Sequence, residues 1–119
     1  MAEGYLTTHV LDTARGVPAA GLQITLFRYE TTAKVKIAEM VTNADGRTDN
    51  PILPAETFRE GEYELCFAAG AYLDSIGTPP EHPRFLNLIP IRFGISDTDA
   101  HYHVPLLLSP FGYSTYRGS

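Results

Sequence analysis

Cysteine is almost absent from this chain of 119 residues, in which Cys66 is the only one. A lone cysteine excludes an intrachain disulfide, so nothing in the cysteine content requires an oxidising compartment. The first five residues also lack the basic start and the apolar run of a secretory signal. We therefore expect a cytoplasmic protein, or a periplasmic one if a signal peptide has been removed.

Basic residues and long apolar runs are scarce as well. Lys and Arg number 9 against 14 Asp and Glu, which gives a formal net charge of -5. Because binding to phosphates needs clustered Lys and Arg, this balance argues against a nucleic-acid partner. No stretch approaches the roughly 20 apolar residues of a membrane-spanning helix, so we expect no membrane partner. The length suits one hydrophobic core, and we expect a single domain over residues 1–119.

Short strand-like runs, separated by Gly, Pro, Asn and Asp, dominate the sequence. This pattern is typical of an all-β sandwich or barrel. One short helix is expected at about residues 70–76, where glycines bracket an apolar segment. The predicted strands lie at about residues 4–12, 22–30, 34–42, 60–68, 88–97, 100–109 and 111–117.

Turn-forming residues support this segmentation. Residues 14–18, 43–46 and 97–99 are rich in Gly, Asn and Asp and are expected to connect strands. Residues 78–83 contain three prolines, which cannot donate to a β-ladder, so this segment is expected to be a surface loop.

The strand near the C-terminus divides clearly into two faces, because successive side chains of a strand point to opposite sides. Its even-numbered positions from 102 to 108 are all apolar and should face the core. His103 then points away from the core, on a face shared with Pro105 and Leu107. A non-core face that carries such residues is suited to cover another subunit or to line a cleft, so we expect an oligomer. In the first strand the same rule groups Tyr5, Thr7, His9 and Leu11 on one face, although both faces there are partly apolar.

Two histidines lie close together in this strand, with His101 and His103 about 7 Å apart along one face. Two imidazoles at this spacing can converge on one metal ion, provided that His9 or an Asp supplies a third ligand. Imidazole also titrates near neutral pH, so the pair can act as general base and acid without a metal. Histidines held by hydrogen bonds at an interface are the third interpretation, and the spacing leaves all three open.

An arginine and the C-terminal segment complete the candidate residues. Arg47 follows a predicted turn, where its guanidinium is either solvated or grips a planar anion or imide through two hydrogen bonds. Phe111, Tyr113 and Tyr116 make the terminus rich in large amphipathic groups, which favours a packed rather than a frayed end. Ser119 would then bring a hydroxyl and the terminal carboxylate into a site.

Four segments taken together resemble the 5-hydroxyisourate hydrolase family: residues 6–13 (LTTHVLDT), 46–49 (GRTD), 101–110 (HYHVPLLLSP) and 116–119 (YRGS). The likeness spans almost the entire chain. Transthyretin, a related hormone carrier, lacks the terminal tetrapeptide and the histidine pattern. The resemblance implies a transthyretin-like two-sheet β-sandwich of about eight strands with one short helix. It also implies a homotetramer whose subunit interface forms a channel that holds the active sites.

A reaction and individual roles are implied by the same resemblance. Water opens the six-membered ring of 5-hydroxyisourate, the unstable product of urate oxidation, to give 2-oxo-4-hydroxy-4-carboxy-5-ureidoimidazoline. His9, Arg47, His103 and Ser119 take the catalytic positions. His9, Arg47 and Tyr116 contact the substrate, and no metal or cofactor is expected. We expect the two histidines to handle the proton of the attacking water while Arg47 holds and polarises the imide.

Two other functional classes stay open. A transthyretin-like carrier would hold a small aromatic ligand in its channel without converting it. A zinc-dependent hydrolase would use His9, His101 and His103 as ligands around a zinc-bound water.

Overall fold

The structure, a computed structural model, describes residues 3–118. Its regular elements include one α-helix, α1 (Ala69–Ser75), and a 3-10 turn at Ala55–Thr57. The strands are β1 (Tyr5–Asp12), β2 (Val17–Pro18), β3 (Gln23–Glu30), β4 (Ala33–Val41), β5 (Gly61–Ala68), β6 (Leu88–Ile95), β7 (His101–Ser109) and β8 (Gly112–Thr115).

The strands form two four-stranded sheets, with the orders β2-β1-β7-β8 and β4-β3-β5-β6. Strands β1 and β7 pair in parallel, while the other neighbouring strands within residues 3–118 pair antiparallel. The parallel pair joins residues about 96 positions apart, with Leu6 opposite Tyr102 and Asp12 opposite Leu108. This long-range pairing brings the two histidine-bearing strands side by side.

Alternation along the strands places the core between the two sheets. In β1 and β7 the even-numbered side chains are buried, and Leu6, Val10 and Leu106 have no exposed surface. From the other sheet, Leu65 and Phe67 are equally buried against them. Burial of a large aliphatic or aromatic side chain contributes roughly 1.5–3 kcal/mol, so this alternation fixes which face of each sheet turns inward.

The predicted all-β two-sheet sandwich with one short helix is confirmed. The seven strands expected from the residue pattern agree with the structure to within two residues at either end, and α1 agrees to within one. The pattern alone missed the eighth strand, β2, which lies inside the segment predicted as a turn. It pairs only two residues with β1, and so short a strand adjoining turn residues shows no alternation.

Helix α1 is joined to the first sheet through a buried hydrogen bond. The hydroxyl of Tyr72 donates to Oδ2 of Asp12 at 2.7 Å, and Asp12 is only 3% exposed. Gly70 of the helix lies so close to the segment before β6 that an added Cβ would be 2.2 Å from Oδ1 of Asn87.

Within residues 3–118, no helix is long and apolar enough to cross a membrane.

Candidate active site

The parallel pairing of β1 and β7 brings the outward-facing histidines together. In this register Thr7 lies opposite His103 and His9 lies opposite Pro105. The ring centroids of His9 and His103 are 6.5 Å apart. Both side chains are half-buried on the face turned away from the core, as the strand alternation predicted.

The turn at residues 43–46 positions Arg47 beside His9. Gly46 has φ of +75°, and a Cβ there would lie 2.3 Å from the carbonyl oxygen of Val10, so only glycine fits this close approach. The Val10 N–H donates to the Gly46 carbonyl at 2.8 Å. The turn is thereby fixed to β1, and Arg47 pairs with His9 in an antiparallel bridge.

The hydrogen bond made by His9 defines its tautomer. Nε2 of His9 lies 2.9 Å from the carbonyl oxygen of Asp45. A carbonyl oxygen only accepts hydrogen bonds, so Nε2 carries the proton and donates it. In the neutral ring the lone pair is then on Nδ1, which is free to accept a proton.

The C-terminal segment packs directly on His103. The Gly118 N–H donates to the main-chain oxygen of His103 at 2.7 Å, and the two residues form an isolated β-bridge. A Cβ on Gly118 would lie 2.7 Å from Cδ2 of the imidazole. Glycine at this position therefore lets the backbone lie against the ring and limits where the ring can move.

The remaining residues of this segment have different surroundings. Arg117 places its guanidinium carbon 4.0 Å from the centroid of the Tyr102 ring, which favours an ordered backbone leading to Gly118. Tyr116 is 58% exposed. Ser119, which was expected to take part in catalysis, lies outside the described residues. The packing expected from the aromatic residues is not seen in the single chain, where Phe111, Tyr113 and Tyr116 are all exposed, and it is the backbone at Gly118 that lies against His103.

Both candidate bases have lowered proton affinity. The pKa of His9 lies below its ordinary value of 6.5, mainly because burial penalises the charged ring and also because Arg47 repels it. The pKa of His103 is lowered by burial, by Arg47, and by the neighbouring His101 and His9. The two rings are therefore neutral at neutral pH, which is the form that can accept a proton.

A cleft of about 340 Å³ opens at this face. A larger open cavity of about 1190 Å³ lies between β4 and residues 50–59, but no histidine lines it, so we place the chemistry in the smaller cleft. The residues that line the smaller cleft are Tyr5, Thr7, Thr8, Arg47, Thr48, His101 and His103.

Sequence reasoning missed the part that Thr7 plays. Its Oγ1 lies 2.6 Å from Nε2 of His101 and 2.7 Å from Nδ1 of His103, so one hydroxyl bridges the two rings. Tyr5 stacks on His101 with ring centroids 4.1 Å apart and an angle of 12° between the planes. Strand parity had grouped Tyr5, Thr7 and His9 on one face, but a threonine among strand residues carries no chemical signal of its own.

A metal centre built from the three histidines does not match their arrangement. His9 and His101 both lie near His103, but His9 directs Nε2 to a carbonyl and His101 directs Nε2 to a hydroxyl. Within the described part of the chain, no group of three or more His, Cys, Asp or Glu side chains is placed to hold a metal ion.

Comparison with known proteins identifies the family of this chain. The sequence family described as the HIUase/Transthyretin family matches residues 6–118. The "5-hydroxyisourate hydrolase 2" of Rhizobium meliloti (strain 1021) is 59% identical over 116 residues, which cover 98% of this chain and 97% of the relative.

Solved structures resemble this chain as well. A 5-hydroxyisourate hydrolase from Klebsiella pneumoniae has a TM-score of 0.80 and 34% identity, covering 98% of this chain and 99% of the other. An (S)-allantoin synthase has a TM-score of 0.92 and 47% identity over 99% of this chain, which spans only 44% of that protein. Sea bream transthyretin in complex with thyroxine has a TM-score of 0.85 and 28% identity, covering 95% and 93% of the two chains. These matches confirm the expected resemblance, and the chain belongs to the HIUase/transthyretin family.

Proposed function

We propose that this chain hydrolyses 5-hydroxyisourate, opening its six-membered ring with water to form a carboxylate and a ureido group. The observation that carries the proposal is the pair of imidazoles, His9 and His103, with ring centroids 6.5 Å apart beside Arg47. The 59% identity to a relative named as this hydrolase, over nearly the full length of both chains, supports the same activity.

Each histidine presents one nitrogen that can accept a proton from water. His9 has its Nε2 on a carbonyl, which leaves Nδ1 to accept a proton, and His103 has its Nδ1 on Thr7, which leaves Nε2 to accept one when Nδ1 carries the ring proton. One ring takes the proton as the water oxygen bonds to the ring carbonyl carbon. The proton is then returned to the ring nitrogen that is released when the carbon–nitrogen bond breaks.

Arg47 holds the substrate and stabilises the charge that develops on its carbonyl oxygen. The guanidinium is exposed at the edge of the cleft, where its donors can bind a planar imide in two places. It has a second effect, because its positive charge lowers the pKa of both His9 and His103. Arg47 thus binds the substrate and adds to the effect of burial in lowering the pKa of both bases.

The assembly and the chain end complete the proposal. The face that carries the histidines also carries the half-buried Leu11 and Leu107, which suits contact with a second copy of the chain. We therefore propose a homotetramer with active sites at the subunit interface. Tyr116 contacts the substrate there, and Ser119 supports it with a hydrogen bond.

The decay of 5-hydroxyisourate tests the proposed activity. The substrate is generated from urate with urate oxidase, and its absorbance is followed with and without the protein. We expect a protein-dependent acceleration that is unchanged by a chelator. A decay rate equal to the spontaneous rate would favour a carrier, and activity that is lost on chelation and restored by zinc would favour a zinc hydrolase.

A further inference from the structure

The hydroxyl of Thr7 lies between His101 and His103 and has only one proton to share. Of its two short contacts, one is to Nε2 of His101 and the other is to Nδ1 of His103. No third acceptor for this hydroxyl occurs among the described residues. When both contacts are hydrogen bonds and the hydroxyl donates to one ring, the other ring must donate to it. The tautomers of His101 and His103 are therefore coupled through Thr7.

The two possible arrangements have opposite consequences for catalysis. If Thr7 donates to His101, His103 carries its proton on Nδ1 and has a free lone pair on Nε2. If Thr7 donates to His103, the neutral His103 ring carries its proton on Nε2 and cannot accept one there. Only the first arrangement makes His103 a general base.

His103 differs from His9 in the group that its hydrogen-bonded ring nitrogen contacts. Nε2 of His9 contacts the carbonyl oxygen of Asp45, which can accept a hydrogen bond but cannot pass a proton on. Nδ1 of His103 contacts the hydroxyl of Thr7, which can give up its own proton as it receives another. His101, at the far end of this hydroxyl, is exposed and stacked on Tyr5, so a positive charge there keeps its contact with water.

We propose that Thr7 is a positioning residue that holds His103 in the Nδ1–H tautomer, and that its hydroxyl relays the proton gained by His103 to His101. The inference rests on the proposed function of His103 as a base. An O–H bond of water breaks and an Nε2–H bond forms on His103. The Nδ1–H bond of His103 breaks as an O–H bond forms on Thr7, and the original Thr7 proton moves to Nε2 of His101. The net change is one proton moved from water to His101, and the same transfers in reverse return it through Nε2 of His103 to the ring nitrogen that is released.

The relay moves positive charge away from Arg47, which lies close to His103. A positive charge retained on His103 would face Arg47 and His9 in a half-buried site, whereas transfer to His101 moves that charge to the exposed edge of the cleft. Tyr5 stacks on one face of His101 and Thr7 contacts its Nε2, so the orientation of the terminal acceptor is defined from β1.

The first test compares Thr7→Val with Thr7→Ser. Valine keeps the shape of threonine and removes the hydroxyl, whereas serine keeps the hydroxyl. We expect Thr7→Val to lower kcat about tenfold with little change in KM, because a tenfold loss corresponds to about one lost hydrogen bond. The kcat of Thr7→Ser should stay near that of the wild type. Thr25→Val on β3 of the other sheet is the matched control and should leave kcat unchanged.

The second test is His101→Phe, which keeps an aromatic ring to stack on Tyr5 but removes the Nε2 acceptor. The Thr7 hydroxyl then donates to Nδ1 of His103 and favours the wrong tautomer, so we expect a larger loss in kcat than for Thr7→Val. Adding Thr7→Val to His101→Phe should cause no further loss. The nitrogen chemical shifts of His103 should report Nδ1–H in the wild type and a shift toward Nε2–H in His101→Phe.

The outcomes separate this inference from the proposed function. A wild-type protein that does not accelerate 5-hydroxyisourate decay, or a His103→Ala variant that remains fully active, overturns the proposed function. The relay is tested when the wild type is active and His103→Ala is not. In that case, a Thr7→Val variant whose kcat is within twofold of the wild-type value overturns the relay. An unchanged His103 tautomer in His101→Phe overturns it equally.

Discussion

Replacing Gly118 with alanine tests whether the C-terminal segment holds His103 in place. The added methyl carbon would lie 2.7 Å from Cδ2 of His103 and 3.3 Å from its Cβ and Cγ. Carbon atoms in comfortable contact are about 3.5–4.0 Å apart, so the ring or the segment must move by roughly 1 Å. A misplacement of about 1 Å at a catalytic group can cost about 10²-fold in rate. We therefore expect kcat/KM to fall about 100-fold.

The assay is the initial rate of 5-hydroxyisourate decay, measured with the melting temperature of each variant. Gly94→Ala in β6 is the matched control, because a Cβ there meets nothing within 4 Å. Both changes reduce the freedom of the unfolded chain alike, so a difference between them reports the contact with His103. A Gly118→Ala enzyme that folds normally and keeps kcat/KM within threefold of wild type would refute the reasoning.

Three further predictions follow from the site and the core. Arg47→Lys keeps the charge but loses the planar pair of donors, so kcat/KM should fall at least tenfold, and an unchanged value would remove Arg47 from substrate binding. Because burial lowers the pKa of His9 and of His103 below the ordinary 6.5, the acidic decline of kcat/KM should have its midpoint below pH 6.5, and a midpoint above that value would contradict this. Tyr72→Phe removes the donor to the buried Asp12 and should lower the free energy of unfolding by about 1–3 kcal/mol in urea titrations without changing turnover; unchanged stability would show that the hydrogen bond contributes nothing.

The fold was largely predictable because alternation is a local property of the sequence. The even positions of β7, from Tyr102 to Leu108, are apolar, and all of them are buried. The parallel pairing of β1 with β7 could not be read in the same way, since it depends on contacts between residues about 96 positions apart. Strand β2 was missed because two residues are too few to show a period.

The site was predictable in part. Alternation alone placed His103 on the non-core face, and the structure confirms that placement. Arg47 came only from the family resemblance, because its position beside His9 depends on the turn at Gly46 and its close approach to Val10. The bridging hydroxyl of Thr7 depends on the register of two distant strands, so no local pattern could reveal it.

The assigned functions of Tyr116 and Ser119 stay predictions. Tyr116 is largely exposed in the single chain, so its side chain is available for contact with another copy of the chain. Gly118, two residues further on, lies against His103, so the described part of the segment reaches that histidine.

The most direct measurement of the central claim is the turnover of 5-hydroxyisourate by His9→Ala and by His103→Ala. His82→Ala is the matched control, because that histidine is exposed in the loop at residues 78–83. A positioned general base contributes about 10²–10⁴-fold, so each site variant should lose at least 10²-fold in kcat while His82→Ala stays at the wild-type value. Near-native turnover by either folded site variant would contradict the account.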